Sequence, residues 1–203
     1  MQTSLRRLFL LSTACFIFAL LNGCALTKAH ISLTYVPQAN LAKIDGADSV
    51  TVRLDVKDGR TIKDKVGVKK NGYGMEMAAI IAKEDVAITV KNAIEAELAN
   101  RGFRLGGGEI SIVSELSKFY NDFKIGFWSG TAVAEVIMNV QVKKADGSLV
   151  FSKLVTGEGR KEGLWVASGS NAKVALDSAL RDAVDKLFSD AAFIDAMLKA
   201  AKS

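Results

Sequence analysis

The sequence predicts an α+β domain, with a mostly antiparallel sheet and two main amphipathic helices packed on one of its faces. Three observations carry that expectation. Short runs of alternating apolar and polar residues occupy the start and the middle of the chain. Two longer stretches switch to a spacing of about 3.6 residues, the period that puts apolar side chains on one helical face. These elements follow the order strands, helix, three strands, helix, which suits helices segregated to one side of a sheet rather than a repeating βαβ pattern.

The first strand is "SVTVRLDVKDGR" (49–60), where Val50, Val52, Leu54 and Val56 alternate with Thr51, Arg53, Asp55 and Lys57. Asp58-Gly59 behind it is a turn signal. "KVGVKKNGYGMEMAAI" (65–80) reads as a second extended segment, with Asn71-Gly72 a further turn candidate. In "KEDVAITVKNAIEAELANRGF" (83–103) the residues Val86, Val90, Ile94 and Leu98 fall four apart. Glu84 and Asp85 stand in the first turn, where the helix dipole favours acids. Gly102 with Phe103 after it has the form of a glycine C-cap and its hydrophobic partner.

"GEISIVSEL" (108–116) returns to strand, and "TAVAEVIMNVQVKKADGSLVFSKLVTGE" (131–158) is a hairpin turning at Ala145–Ser148. Ser170 or Asn171 can cap the second main helix, whose Leu176, Leu180, Val184 and Leu187 share a face. Ser189-Asp190 restarts a short extra C-terminal helix with Phe193, Ile194, Met197 and Leu198 on its apolar side.

The chain has 203 residues, 24% charged and 49% apolar with a single proline, the profile of a folded globular protein. Its start is different in kind. Arg6 and Arg7 precede a mainly apolar run, Leu8–Leu21. That run is about 14 residues long, too short for the ~20 that cross a bilayer and the right length for a secretory signal. Residues 1–23 are therefore read as a signal peptide, 24–35 as a tether and 36–203 as one periplasmic domain. About 180 residues then remain, enough for one domain with a proper core. Losing Arg6 and Arg7 lowers the net charge from +5 to about +3, which serves solubility and gives no indication of nucleic-acid binding.

Cys15 leaves with the signal, so Cys24 has no partner for an internal disulfide. His30, the only histidine, lies in the tether, so the usual zinc sets and a Ser-His-Asp triad have little to draw on. Leu21-Asn22-Gly23-Cys24 resembles the lipobox of bacterial lipoproteins, with an aliphatic residue at −3 and a small one at −1. The resemblance implies cleavage between Gly23 and Cys24, a diacylglycerol on the Cys24 thiol and acylation (palmitate, for example) of the new amino group. A thiolate is the nucleophile this needs, and several acyl chains make a stable anchor where one is marginal. Ala25 after the cysteine, where Asp would retain the protein, implies the outer membrane by resemblance to the enterobacterial sorting rule.

The mature chain resembles the YajG-type family of Gram-negative outer-membrane lipoproteins. The residues that carry the likeness are the lipobox, "VPQANLAKIDGADSVTVRLDVKDGRT", "AELANRGFRLGGG", "ISIVSELSKFY" and "NAKVALDSALRDAVDKLFSDAAFIDAML". The likeness runs through the mature chain in the same order, and it departs in "YNDFKIGFWSG" and "GEGRKEGLWVASGS", which are richer in aromatics. It implies a lipid-anchored envelope protein and brings no reaction, cofactor or catalytic residue with it.

Other motifs read as structure. Gly106-Gly107-Gly108 follows a helix instead of a strand and lacks the lysine of a phosphate cradle. Ser170-Asn171-Ala172-Lys173 spells S-x-x-K without its companion motifs. Glu95 and Glu97, and Asp182 and Asp185, read as solvated helix faces. Lys63, Lys65, Lys69 and Lys70 form a basic stretch, either a protected strand edge or a contact for phosphate head groups or an acidic partner. In "FKIGFWSG", Phe123, Ile125 and Phe127 alternate and Trp128 points the other way, while Trp165 lies in another glycine-flanked loop. Both tryptophans fit either core packing or an exposed contact surface. The expected function is non-catalytic: a membrane-tethered module meeting an envelope protein partner through Phe127, Trp128 and Trp165. The alternative is a carrier holding a lipid between the helices and the sheet, near Leu98, Leu180, Val184 and Leu187. A cell-wall hydrolase has the least support.

Overall fold

A computed structural model of the chain describes residues 26–39, 41–108 and 110–201. Cys24, Gly23 and Ala25 lie outside the described residues. Among the described residues, eight strands form one mixed sheet and three α-helices lie on it. In chain order these are β1 (Ala29–Ile31), β2 (Thr51–Asp58), β3 (Gly67–Lys70), β4 (Glu76–Ala82), α1 (Val86–Asn100), β5 (Arg104–Leu105), β6 (Ile110–Ile125), β7 (Gly130–Lys144), β8 (Leu149–Leu164), α2 (Gly169–Phe188) and α3 (Ala191–Ala200).

The long ladders β6–β7 and β7–β8 are antiparallel, as is β3–β4. The pairs β1–β4, β2–β5, β2–β6 and β3–β6 are parallel, so the sheet is less uniform than expected. The reason lies in β6. Its first half pairs with β2, from Val52 opposite Ile110 to Asp58 opposite Leu116. Further along, Asn121 meets Gly67 of β3, which brings β4 and β1 into the sheet. A bulge at Ser117 marks the change of neighbour. The extra residue shifts the inward-facing set from Ile110, Ile112, Ser114 and Leu116 to Phe119, Asn121 and Phe123. The strand thus runs well past residue 116, through Ile125.

"KVGVKKNGYGMEMAAI" is a two-stranded hairpin instead of one segment, turning at Asn71–Met75. Residues 29–35, expected in the tether, belong to the fold: β1 pairs with β4, and Leu33 is buried. Apolar side chains Ile31 and Leu33 account for this, since both enter the core.

The helices begin and end where local chemistry dictates. Asp85 is the N-cap of α1 and accepts from the amides of Ala87 and Ile88, at 2.7 and 3.2 Å. Gly102, at φ +96°, lets Phe103 turn back so that its amide bonds to the Leu98 carbonyl. α2 is capped by Ser168, two residues before the expected cap. Asp190 caps α3 as expected. The inward face of β7 (Ala132, Ala134, Val136, Met138, Val140, Val142) is sealed by α2, and Phe193 of α3 packs against Phe151 and Phe188. Among the described residues, no helix lies on the opposite face of the β6–β8 sheet, and its residues Glu135, Asn139 and Gln141 of β7 are half-buried.

Candidate functional site: an aromatic end of the sheet

Three connections project from one end of the sheet, because β3 runs parallel to β6 and β8 ends beside the start of β7. The first is the β3–β4 turn. The Asn71 side-chain oxygen accepts from the amides of Tyr73 and Met75, each at 3.0 Å, and Gly74 takes φ +82°. With its backbone satisfied internally, this turn points Tyr73 into solvent at 91% exposure. The second is the β6–β7 turn at Gly126–Ser129, closed by the Gly126 amide on the Ser129 carbonyl at 3.1 Å. Phe127 and Trp128 stand on it, 91% and 84% exposed, in an edge-to-face pair with ring centres 5.0 Å apart.

The third is the link from β8 to α2. Leu164 and Ala167 are buried and anchor the link at both ends. Between them Trp165 is 92% exposed, and Val166 is exposed beside it. The Asn171 side-chain Nδ2 donates to the Val166 carbonyl at 2.9 Å and holds the link in place. A hollow of about 470 Å³ opens between the connections. Phe123, Ile125 and Leu164 line its bottom, and Phe127, Trp128 and Trp165 its rim. Lys70 reaches it too, held by Asp122 Oδ1 at 2.6 Å and the Phe123 carbonyl at 3.1 Å. Among the described residues, no carboxylate or imidazole lines the hollow. Its surface offers apolar rings and aliphatic side chains, the side chains of Asn71 and Ser129, backbone and the Lys70 cation, which suits contact.

The structure thus brings Phe127, Trp128 and Trp165 together, all exposed, although core packing was open for both tryptophans. The alternation of Phe123, Ile125 and Phe127 breaks because β6 ends at Ile125. Tyr73 and Met75 join the same end and were missed by sequence reasoning. The signal was present: "NGYG", "GFWSG" and "GLWVASG" each set a large apolar ring beside glycine.

The remaining candidates separate. The lysine stretch divides: Lys63 donates to the Asp58 carbonyl at 2.7 Å in the β2–β3 connection, while Lys69 and Lys70 lie near the aromatic end. Lys173 of the S-x-x-K run is taken by Asp177 and Thr34, and Ser170 by Ser168 at 2.9 Å. A Cβ on Gly108 would sit 2.0 Å from the Thr51 carbonyl oxygen, so that glycine serves a close backbone crossing. Glu97, read as solvated, is fully buried. Asp182 accepts from the Glu158 amide at 2.8 Å, and Asp185 from Gln38 at 2.9 Å, so both tie α2 to its surroundings. Among the described residues, no helix is long and apolar enough to cross a membrane. No group of three or more His, Cys, Asp or Glu there could hold a metal ion.

A family model described as "Uncharacterized lipoprotein" matches residues 37–198. No curated protein matches the chain. Among solved structures, a Xanthomonas campestris protein of the DUF330 family model is similar at 11% identity and a TM-score of 0.59, over 86% of this chain and 97% of that one. At that identity the likeness shows the fold alone. A minor lipoprotein from Acinetobacter baumannii aligns at 7% identity and a TM-score of 0.39, over 67% of this chain and 90% of that one.

Proposed function

The chain belongs to the family of uncharacterized lipoproteins, and from that membership we propose a lipid-anchored, non-catalytic contact module on the periplasmic side of the outer membrane. Cys24 carries the lipid, and the aromatic end of the sheet makes the contact. The observation that carries the reading is the gathering of Tyr73, Phe127, Trp128 and Trp165 onto one end, each more than four-fifths exposed. Rings of this size are not left in water on four neighbouring positions unless something covers them.

A hydrophobic-ligand carrier has less support. Leu98, Leu180, Val184 and Leu187, expected to line its groove, are completely buried. The helix face above β8 lies so close that a Cβ on Gly157 would stand 2.2 Å from the Ala179 carbonyl oxygen. No room for an acyl chain remains at that crossing.

The test is site-specific photo-crosslinking in living cells. One variant carries the photoreactive residue in place of Trp128, and a second in place of Ser152, which is exposed on β8 away from the aromatic end. Adducts to lipid or protein are expected from position 128 and not from position 152. Equal labelling of both, or none from 128, would refute the contact reading.

A further inference from the structure

The path of the N-terminal segment supplies what the exposed rings lack, a stated occupant. β1 runs parallel to β4, with Ala29 opposite Ile80 and Ile31 opposite Ala82. Traced back from Ala29, the chain therefore heads along β4 toward Glu76 and the Tyr73 turn. Two contacts place that segment. The Lys69 ammonium donates to the Thr27 carbonyl at 2.9 Å, one residue from the Lys70 that reaches the hollow. Ala29 also lies against Gly169, where an added Cβ would stand 2.6 Å from its own, four residues after Trp165. Residues 27–29 thus lie at the aromatic end.

From Thr27 back to Cys24 there are three residues, which span at most about 10 Å. An anchor on Cys24 leaves this end of the sheet no way to stand far from the bilayer. We propose that Tyr73, Phe127, Trp128 and Trp165 enter the headgroup–acyl boundary of the leaflet that holds the Cys24 lipid. This inference rests on the contact reading above and names its occupant as a lipid surface, in place of the envelope protein expected from the sequence. The chemistry agrees. Tyrosine and tryptophan present an apolar body and a polar edge, the combination favoured at a membrane–water boundary. Lys69 and Lys70 end β3, Lys28 precedes β1, Lys124 comes one residue before the end of β6 and Lys161 lies near the end of β8, against Glu76, Glu162 and the Asp122 already paired with Lys70. That excess of cations suits anionic headgroups. The domain then stands on the membrane by four rings and a lipid, and its helix-free sheet face projects sideways into the periplasm.

The chain's only two tryptophans are both in this end, so intrinsic fluorescence reports it directly. The acylated full chain is reconstituted into vesicles of phosphatidylethanolamine and phosphatidylglycerol, with the unacylated Cys24→Ser chain in buffer as reference. The expected result is a shift of emission to shorter wavelength, lost access to aqueous acrylamide, and quenching by phospholipid brominated on its acyl chains. Trp128→Ala and Trp165→Ala chains, each with one remaining reporter, should both show it. Emission and acrylamide access unchanged from the reference would overturn the membrane placement. Shielding from acrylamide without bromolipid quenching would overturn it too, and would assign the surface to a second copy of the chain. In either case the contact reading stands or falls separately, on whether position 128 crosslinks in cells.

Discussion

Glu97 has no exposed surface, yet its carboxylate is fully engaged. The Arg101 guanidinium one helical turn on pairs with it, the Tyr35 hydroxyl donates at 2.7 Å, and the Gln38 amide donates at 3.1 Å. Arg101 in turn lies over the Phe188 ring, 4.5 Å from its centre. Removing one member of such a set leaves the others buried without partners, which costs more than the pair itself contributes. Glu97→Ala should therefore lower the unfolding free energy by about 3–5 kcal/mol in urea titrations, and a change under about 1 kcal/mol would contradict this account. Tyr35 carries a pH signature of the same cluster. Burial, with the Asp185 charge nearby, pushes its phenol from 10.0 up to about 12. A raised value means that the stability tied to the protonated phenol is intact below about pH 10 and lost as pH climbs through about 12. In an alkaline absorbance titration a phenol should ionise near pH 12, and Tyr35→Phe should remove that step. An unchanged profile in the variant would refute the assignment.

The crossing of α2 over β8 depends on the absence of side chains. A Cβ on Gly159 would fall 2.0 Å from the Ala175 carbonyl oxygen, and one on Gly157 2.2 Å from that of Ala179. Ala172, Ala175, Ala179 and Ala183 form the facing stripe of the helix, all fully buried. Both sides of the contact are backbone and cannot rotate away, so a larger residue must lift the helix off the sheet. Gly159→Val should cost more than about 3 kcal/mol and lower the Tm accordingly. Gly72→Ala, at a turn with open space around the Cβ position, should stay within about 0.5 kcal/mol of the parent. If the two variants melted alike, the close crossing would not be what holds α2. The glycine turn after α1 and the β7–β8 hairpin were legible beforehand, because each depends on residues a few positions apart, while Asp85 turned out to cap α1 from outside and not to stand in its first turn. The extent of β6 was not. Its bulge at Ser117 reverses the phase of the alternation, so Phe119, Asn121 and Phe123 no longer match the pattern begun at Ile110.

At the scale of the molecule, the proposed reading joins the Cys24 anchor and the aromatic end in one device. Cys24→Ser should abolish labelling by radioactive palmitate and, because cleavage follows acylation of the thiol, leave the apolar segment Leu8–Leu21 attached, read as a larger mass by mass spectrometry. Palmitate labelling at the level of the parent would mean that Cys24 is not the anchor. The α+β class of the fold, its helices and the glycine turn after α1 could be read from local patterns, whereas the cap of α2 fell at Ser168 and not at Ser170 or Asn171. Period, turn residues and a signal motif act over a handful of neighbours, so the order of residues carries them. Glu97 entered the core, Gly157 and Gly159 became a helix seat, and Thr27 came to rest beside Lys69 through contacts between segments far apart in the chain. The meeting of Tyr73, Phe127, Trp128 and Trp165 has the same origin. It follows from β6 taking β3 on one flank and β7 on the other, a pairing register that spans more than fifty residues between Gly67 and Asn121. Such pairings are selected by the joint burial of the whole sheet, and no stretch of sequence short enough to be read as a motif contains them.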